Sequence, residues 1–597
     1  MRAHFKRPAR TALDRLAPGA LAALALLGAP RALALELSAS GRVTTGAIYR
    51  TESADPAFLT TLNASAAGLQ GASLSGANAD DPNTNFRRHD ATSTVVKGVL
   101  NLRAAEGGLA GFVRIKAWYD QALRDQARAW GNITNGYSAG QPLSDAGAPP
   151  LSRFSGVALA DYYVEAAGAP GGMRALVRVG QQSLDWGERV GFAGGLEALN
   201  PKDFPAMHRP GTTPEENKVP VPALFGRLAP TPALALEGFY QTRFRPSALD
   251  MCGTFWSLND YLVSGCDRVM SGQPVTNDRD RLKNQAYIKR IATPKPDGAE
   301  FGVGLNCKPP ALGTDLGLYL AHYTGRTQIP SLRKSSRAGA ALIAGDPNGQ
   351  NVAFFTEYAE AIRIAALSFS HKRGATSVFG ELSYRPNFPL LFSPSDVLPG
   401  FLSATAPALL RADVNAVAPG ALFHAYDRYP FTQAQIGVQH DWTVGAATAM
   451  SAHAELVAKH VGGLPDQAVR RYGRHEIFGT GPIGTTCVVN TPDAAKQCSL
   501  RGYVTSDAYA YRLRLDARWR EVLPRLNLAA SMLLVHDLRG WSPDNLINEG
   551  RKTANLALRA EYRQRYLAEL VWAPNWGGDY NAFTDRDQLG FSLGVKF

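Results

Sequence analysis

The sequence predicts an all-β fold, a transmembrane antiparallel β-barrel of about 18 strands (range 16–20). Three observations lead to this prediction. Apolar and polar residues alternate with period two in many stretches of about ten residues. The connections between these stretches are alternately short and long. The chain also ends in an apolar strand whose last residue is Phe597.

The terminal strand covers 588–597. Leu589, Phe591, Leu593 and Val595 alternate with small or polar residues, so the two sets point to opposite faces of a sheet. An apolar terminal strand ending in Phe resembles the signal by which bacterial outer-membrane barrels are recognised for insertion. An ordinary edge strand of a soluble domain would have the same pattern, and the rest of the chain must decide between them.

The clearest further strands lie in the C-terminal third. Between 509 and 519, apolar residues alternate with Arg512, Arg514, Asp516 and Arg518. Three more strands follow near 526–534, 554–562 and 566–572. Their connections are a tight turn at 521–524, a long loop at 538–551, almost none at Gln564 and a long loop at 573–587.

Counted backwards from Phe597, short and long connections between strands alternate along the whole chain. Bacterial barrels have short periplasmic turns and long outer loops, with both chain ends inside. The other strands are expected near 446–458, 431–442, 376–385, 359–370, 313–323, 299–307, 233–243, 219–228, 173–182, 156–165, 109–119, 92–103 and 36–49. This gives an even number, and Gln285 to Ile291 stays open as an extra strand. A soluble β-sandwich or propeller would need a regular repeat or turns of similar length at both ends, and the sequence shows neither.

The N-terminus predicts export. Several basic residues precede an apolar stretch from Leu16 to Pro30, and 32–34 read Ala-Leu-Ala, a cleavage pattern. Residues 1–34 are therefore predicted to be a signal peptide, and 35–597 an outer-membrane barrel; a cytosolic basic tail is the alternative. The chain has 63 Lys and Arg against 51 Asp and Glu. Residues 1–34 hold six Lys and Arg and one Asp, so 35–597 have 57 basic and 50 acidic residues. An excess of +7 is ordinary for a chain of this length, and nucleic acid is not an expected partner.

Five cysteines suggest two local disulfides. Cys252 lies close to Cys266 and Cys487 close to Cys498, in polar, turn-rich stretches of a chain that meets an oxidising compartment. Cys307 is left over. No spacing suits a zinc site, so no metal is predicted.

The polar faces of the strands predict a charged lumen. In the expected register, basic groups outnumber acidic ones, and fixed positive charge in a narrow lumen raises the local concentration of anions. The alternative is that ion pairs neutralise most of these charges and merely brace the wall. The residues taken to line the lumen are Arg114, Lys116, Arg174, Arg178, Glu455, Arg512, Arg514 and Arg559.

An 18-stranded barrel is too wide for wall side chains to fill, so something must narrow it. The third outer loop, 183–218, has turn-forming Gly and Pro together with apolar groups that a solvated loop would not favour. We expect it to fold inward, as in general porins. Trp186 would cover the apolar part of a ligand and Arg209 would meet a carboxylate, with Glu188 also in the gate. Asn200 and Asp203 are expected in the gate as well, or as caps of a short helix.

The chain also resembles a known family. The residues that carry the resemblance occur in this order: Gln181, Trp186-Gly187, Asn200-Pro201-x-Asp203, Pro210-Gly211, Leu236-Glu237-x-Phe239-Tyr240-Gln241, Gly253-Thr254 and Gly380 to Asn387. Together they resemble the proteobacterial family called domain of unknown function 1302. The resemblance implies an outer-membrane barrel that accompanies a periplasmic lipoprotein-carrier-like protein and an inner-membrane exporter. It also implies a setting of hydrophobic-compound metabolism, but no particular ligand.

The resulting hypothesis is a barrel embedded in outer-membrane lipid that passes or hands over a small hydrophobic molecule, which the basic lumen would favour if the molecule is also anionic. A general diffusion porin is the alternative, followed by a lipid or ester hydrolase and an adhesin. His453 and Glu455 share the lumen face, but no Gly-x-Ser-x-Gly elbow accompanies them, so no enzyme and no cofactor are predicted. The run Asp80 to Asn83 and the run Ser542 to Asn545 are calcium candidates or simply solvated turns.

Overall fold

The computed structural model describes residues 35–187, 191–445 and 448–597, so the predicted signal peptide 1–34 and Glu188 lie outside the described residues. Eighteen long strands form one antiparallel sheet. In chain order, β1 to β18 are Glu36–Arg50, Ala91–Glu106, Leu109–Asp120, Ser155–Gly168, Arg174–Gln182, Val221–Thr231, Leu234–Gln241, Glu300–Cys307, Thr314–Tyr323, Ile362–Arg373, Thr376–Leu391, Tyr426–Val444, Thr448–Val461, Asp507–Leu523, Leu526–Arg539, Lys552–Tyr562, Tyr566–Ala573 and Gln588–Lys596.

Each strand pairs with its neighbour in the chain, and β1 pairs with β18, so the sheet is a closed barrel. At this seam Arg42 lies opposite Lys596 and Arg50 opposite Gln588. The predicted fold class and strand number are confirmed. The possible extra strand at Gln285–Ile291 does form at Tyr287–Arg290, but it pairs outside the barrel.

The outer face of the barrel is apolar. Exposed side chains such as Leu318, Leu456 and Phe591 alternate with inward polar residues, as a wall facing lipid requires. Aromatic residues near the strand ends are also exposed on this face, among them Tyr119, Tyr162, Tyr240, Tyr562, Tyr566 and Trp572. In the described part of the chain, no helix has the length and apolar character needed to cross a membrane.

The connections differ in length at the two ends of the barrel. At the end where β1 begins and β18 ends they are short turns, for example 107–108, 374–375 and 524–525. At the other end, loops 1 to 9 cover 51–90, 121–154, 183–220, 242–299, 324–361, 392–425, 462–506, 540–551 and 574–587. This is the predicted alternation.

The long loops fold into a cap with its own core. Loops 4, 5 and 6 contribute a five-stranded sheet of Arg268–Met270, Tyr287–Arg290, Ala353–Glu357, Ile329–Arg333 and Leu422–Phe423. Its apolar side chains, including Ile288 and Phe354, pack with Phe401 and Val414 from the loop 6 helices. A second small sheet pairs Ala127–Arg128 with Gln141–Pro142, and the short strand Asn575–Trp576 pairs with β16.

The helices are short. The α-helices are Thr61–Ala66, Asp81–Asn85, Gln121–Arg124, Phe204–Met207, Asp278–Lys283, Pro394–Leu402, Arg411–Ala416 and Ala494–Gln497. The 3₁₀ turns are Pro56–Phe58, Ile133–Asn135, Pro150–Ser152, Pro170–Gly172, Leu196–Leu199, Pro214–Asn217 and Glu476–Phe478.

Two disulfides brace the cap. Cys252 bonds Cys266 within loop 4, and Cys487 bonds Cys498 within loop 7, which are the pairings expected from the sequence. Both sulfurs of the loop 4 pair lie in a buried core with Phe86 and Phe255. Cys307, at the end of β8, is a free thiol.

Candidate functional site

Loop 3 begins by packing against the barrel wall. Trp186 is 7% exposed, and its ring lies 4.9 Å from that of Phe239 on β7 and 5.3 Å from that of Tyr319 on β9. The wall admits the indole because β8 has glycine beneath it: a Cβ at Gly302 would lie 2.8 Å from the ring. Trp186 therefore offers little free surface to a ligand in this arrangement.

The middle of loop 3 is held by β11 to β14. The Glu455 carboxylate accepts hydrogen bonds from Gly191 N and Phe192 N, and Arg512 Nη1 donates to Gly191 O. Glu381 accepts from Leu196 N at 2.8 Å. Arg385, which is fully buried, donates to the carbonyls of Gly194 and Gly195. These inward side chains thus satisfy backbone groups of an irregular segment that has few partners of its own.

The last part of loop 3 is held by β2 and β3 on the other side of the barrel. Lys116 Nζ lies 2.7 Å from Asp203 Oδ2, and Lys97 Nζ lies 2.9 Å from Glu216 Oε1. All four side chains are almost fully buried. Asp203 also caps the helix Phe204–Met207 by accepting from Ala206 N. In the strand order β2 and β3 are about half a ring away from β12, so loop 3 contacts both sides of the interior.

Asn200 closes the loop upon itself instead of capping a helix N-terminus. Its amide oxygen accepts from Leu184 N at 2.9 Å and its amide nitrogen donates to Leu184 O at 2.7 Å. Arg326 of loop 5 donates to the carbonyl of the adjacent Leu199 and pairs with Glu300. The two ends of the segment 184–200 are thereby fixed to each other and to the wall.

Arg209 lies beneath the cap, stacked 4.6 Å above the Trp118 ring, and is 9% exposed. Burial lowers the pKa of the Arg209 guanidinium, although Asp203 and Asp120 act in the opposite direction. The neighbouring cavity, of about 40 Å³, is lined by Arg209, His208 and Trp256 among others. It is far smaller than the roughly 300 Å³ of a typical small-molecule site. In this arrangement Arg209 braces the loop and has no room for a ligand carboxylate.

The predicted gate residues do not form one site. Trp186 and Asn200 lie toward β7 to β9, whereas Asp203 and Arg209 lie toward β2 and β3. Burial lowers the pKa of the intervening Lys202 to about 8, with Lys218 acting in the same direction. Glu216 was missed by the sequence reasoning, although Thr213-x-x-Glu216 is a capping-box pattern that the structure contains.

The predicted lumen-lining charges occur mainly as ion pairs along the wall. Four of the basic members have an acidic partner on a neighbouring strand or on the same strand: Arg114 with Asp161, Arg178 with Glu165, Arg514 with Asp516 and Arg559 with Glu569. Lys116 pairs with Asp203 of loop 3, and Arg512 donates to the carbonyl of Gly191. Arg174 is exposed at the end that carries the short turns. His453 contacts Glu455 at 3.1 Å and the Phe379 ring, and no serine hydroxyl is hydrogen-bonded to it in the described chain.

A family model described as a protein of unknown function (DUF1302) matches residues 15–597. The chain belongs to this family. The resemblance seen in the sequence is therefore confirmed. A search of curated proteins finds no match.

This DUF1302 protein is also similar to several solved structures. Acinetobacter baumannii OccAB1 is 9% identical, with a TM-score of 0.40 over 94% of this chain and 96% of that one. Pseudomonas aeruginosa OccK1 is 10% identical, with a TM-score of 0.36 over 94% and 98%. The outer membrane channel DcaP of Acinetobacter baumannii is 9% identical, with a TM-score of 0.33 over 96% and 100%.

Proposed function

We propose that this protein lies in the bacterial outer membrane and passes small molecules through a lumen that loop 3 narrows. The observation that carries the proposal is the attachment of loop 3 to inward side chains on both sides of a closed wall, through Asp203 and Glu216 to β2 and β3 and through 191–196 to β11 to β14. A bore of 18 strands is wide enough for an aqueous channel. A segment crossing it sets the size of what passes.

Anionic and partly apolar compounds are the proposed cargo. Most lumen charges are paired, but Arg103, Arg174 and Arg518, near the short-turn end, are exposed and have no ion pair among the described residues. Unpaired positive charge at a pore mouth raises the local concentration of anions. The apolar character of the cargo rests on the family resemblance alone.

Hand-over partners would meet the same end of the barrel. Exposed basic residues of the short turns and chain ends include Lys372, Arg373, Arg520, Arg525, Arg563 and Arg565. They outnumber the acidic residues there. A periplasmic carrier-like protein with an acidic docking surface would suit this end, and an inner-membrane exporter would act through it.

Single-channel recording of the folded protein in planar bilayers tests the narrowing. Glu381→Gln with Glu455→Gln weakens the hold on 191–196 without changing side-chain size, and the conductance should rise and fluctuate more. Glu561→Gln is the matched control, because Glu561 is a wall carboxylate that pairs with Lys596 and does not contact loop 3. A large, steady conductance that deletion of 190–215 leaves unchanged would instead indicate a general diffusion porin.

Reversal potentials in a potassium chloride gradient test the charge preference. The wild type should favour chloride. Replacing Arg103, Arg174 and Arg518 by Gln should shift the reversal potential toward the value expected for a pore that favours potassium. An unchanged reversal potential would contradict the proposal that the cargo is anionic. If purified protein instead hydrolysed a lipid ester, and His453→Ala abolished that activity, the transport proposal would be replaced by a hydrolase.

A further inference from the structure

Four carboxylates meet in the interior of the cap. Asp80 and Asp81 come from loop 1, and Asp260 and Asp278 from loop 4; each is at most 1% exposed. One oxygen from each of Asp80, Asp81 and Asp260 lies within 4.8 Å of the others. Among described basic side chains, only Arg281 forms an ion pair with this group, at 3.6 Å from Asp278. Burying this much like charge without a counterion costs several kcal/mol per group.

Hydrogen bonds from neighbouring residues orient the carboxylates, but some carboxylate oxygens have no hydrogen-bond partner in the described chain. Asp80 accepts from Thr60 and Asn63, and Asp81 Oδ1 accepts from Trp130 Nε1 at 2.7 Å. Asp81 Oδ2 and Asp260 Oδ1 are buried and have no hydrogen-bond partner in the described chain. A buried polar atom of this kind calls for a ligand, water or ion.

Tyr137 of loop 2 gives an independent indication. Its side chain is fully buried beside Trp130, and its hydroxyl has no hydrogen-bond partner in the described chain. The hydroxyl is close enough to interact electrostatically with Asp81, Asp278, Asp260 and Asp80. Trp130, which donates to Asp81, also contacts the Tyr137 ring at 5.3 Å between ring centroids. A buried, unpartnered oxygen that belongs to none of the four aspartates therefore lies beside the same carboxylates.

We propose that Asp80, Asp81 and Asp260 hold a hard divalent cation of the calcium class, which ties loop 1 to loop 4. All the donors are oxygens, several are carboxylates, and the free ones lie on separate segments, which suits the variable coordination of Ca²⁺ better than the strict octahedron of Mg²⁺. Asp278 and the Tyr137 hydroxyl complete the shell directly or through water. Extracellular calcium modules bind in the range of about 0.1–1 mM, and that is the affinity expected here.

Terbium luminescence offers a direct test, because Trp130 lies beside the site and would sensitise a bound Tb³⁺. Full-length folded protein is stripped with EGTA, titrated with Tb³⁺ and then with calcium chloride. We expect a saturable signal that millimolar calcium displaces. Asp81→Asn with Asp260→Asn should weaken it at least about tenfold. Asp297→Asn, an exposed aspartate in the same loop as Asp260, should leave it unchanged.

Two further measurements keep the test decisive. Heat-dependent migration in detergent gels shows whether the double variant forms the barrel. If the double variant does not form it, the test is the amount of calcium bound to the wild-type protein after equilibration with calcium. Calcium should also slow tryptic cleavage in loops 1 and 4 of the wild type. Equal terbium binding by the variants, or no bound metal in the wild type, would mean that the aspartates are protonated and would overturn the proposal.

Discussion

Lys116 of β3 donates a 2.7 Å hydrogen bond to Asp203 of loop 3, and both side chains are removed from solvent. Replacing one member leaves the other charge buried without a partner. We expect Lys116→Met to destabilise the attachment of loop 3 by about 3–5 kcal/mol, measured as earlier proteolysis within 203–216 or a lower urea midpoint for loop opening. Asp203→Ala should in addition remove the cap of the helix Phe204–Met207, at a cost of about 1 kcal/mol.

Lys308 and Asp315 provide the control for this prediction. They form an ion pair of similar length, 2.8 Å, in a short turn, with both side chains more than half exposed. Lys308→Met should therefore change stability by no more than about 1 kcal/mol. Equal effects at the two pairs would show that burial does not set the strength of the loop attachment.

The barrel is readable from the sequence because each spanning strand carries its own signal. The lipid face must be apolar at every second residue, so strands such as 509–519 and 566–572 can be identified from the alternation of apolar and polar residues within them. The cap is not readable in this way. Its strands are short, and their apolar residues, such as Ile288 and Phe354, are buried by other loops, not by lipid. Of the cap strands, only the one at Tyr287–Arg290 lies in a stretch that the sequence left open as an extra strand, and the sequence did not indicate its place in the cap.

The contacts that attach loop 3 to the barrel wall could not be predicted from the sequence for a related reason. Gly191 and Glu455 are 264 residues apart, and nothing in a single sequence couples two such positions. Turn chemistry and apolar residues could mark loop 3 as unlike a solvated loop, but not Asn200 as the partner of Leu184. Asp80 and Asp81 resemble a solvated turn in sequence and are buried only because loops 2 and 4 cover them.

The two disulfides should differ in their resistance to reductant. Cys252 and Cys266 are fully buried, whereas Cys487 and Cys498 are partly exposed. Mild reduction of the folded protein followed by alkylation and mass spectrometry should label 487 and 498 first. Labelling of the loop 4 pair should require loss of the cap structure, and removing that pair by Cys→Ser replacement should cost about 2–4 kcal/mol of cap stability. Simultaneous labelling of all four cysteines would contradict the buried position of the loop 4 pair.

Cys307 tests which face of β8 meets lipid. It follows the outward set Phe301, Val303 and Leu305 and borders an apolar groove on the outer wall with Leu316 and Leu318. In reconstituted vesicles, an apolar maleimide should label Cys307, and a charged, membrane-impermeant thiol reagent should not. The same residue in detergent-denatured protein is the control for reactivity. Rapid labelling by the charged reagent would place Cys307 in the aqueous lumen and reverse the register of β8.

The seam between β1 and β18 depends on the absence of a side chain at Gly46. Gly46 lies opposite Ser592, and a Cβ there would be 2.3 Å from the carbonyl oxygen of Phe591, which is backbone and cannot move aside without disturbing the strand pairing. We expect Gly46→Ala to reduce the yield of heat-resistant, compact barrel in detergent gels. Gly98→Ala on β2 is the matched control, since its Cβ would meet nothing closer than 3.8 Å. If both variants folded with wild-type yield, closure by β1 and β18 at this register would be wrong.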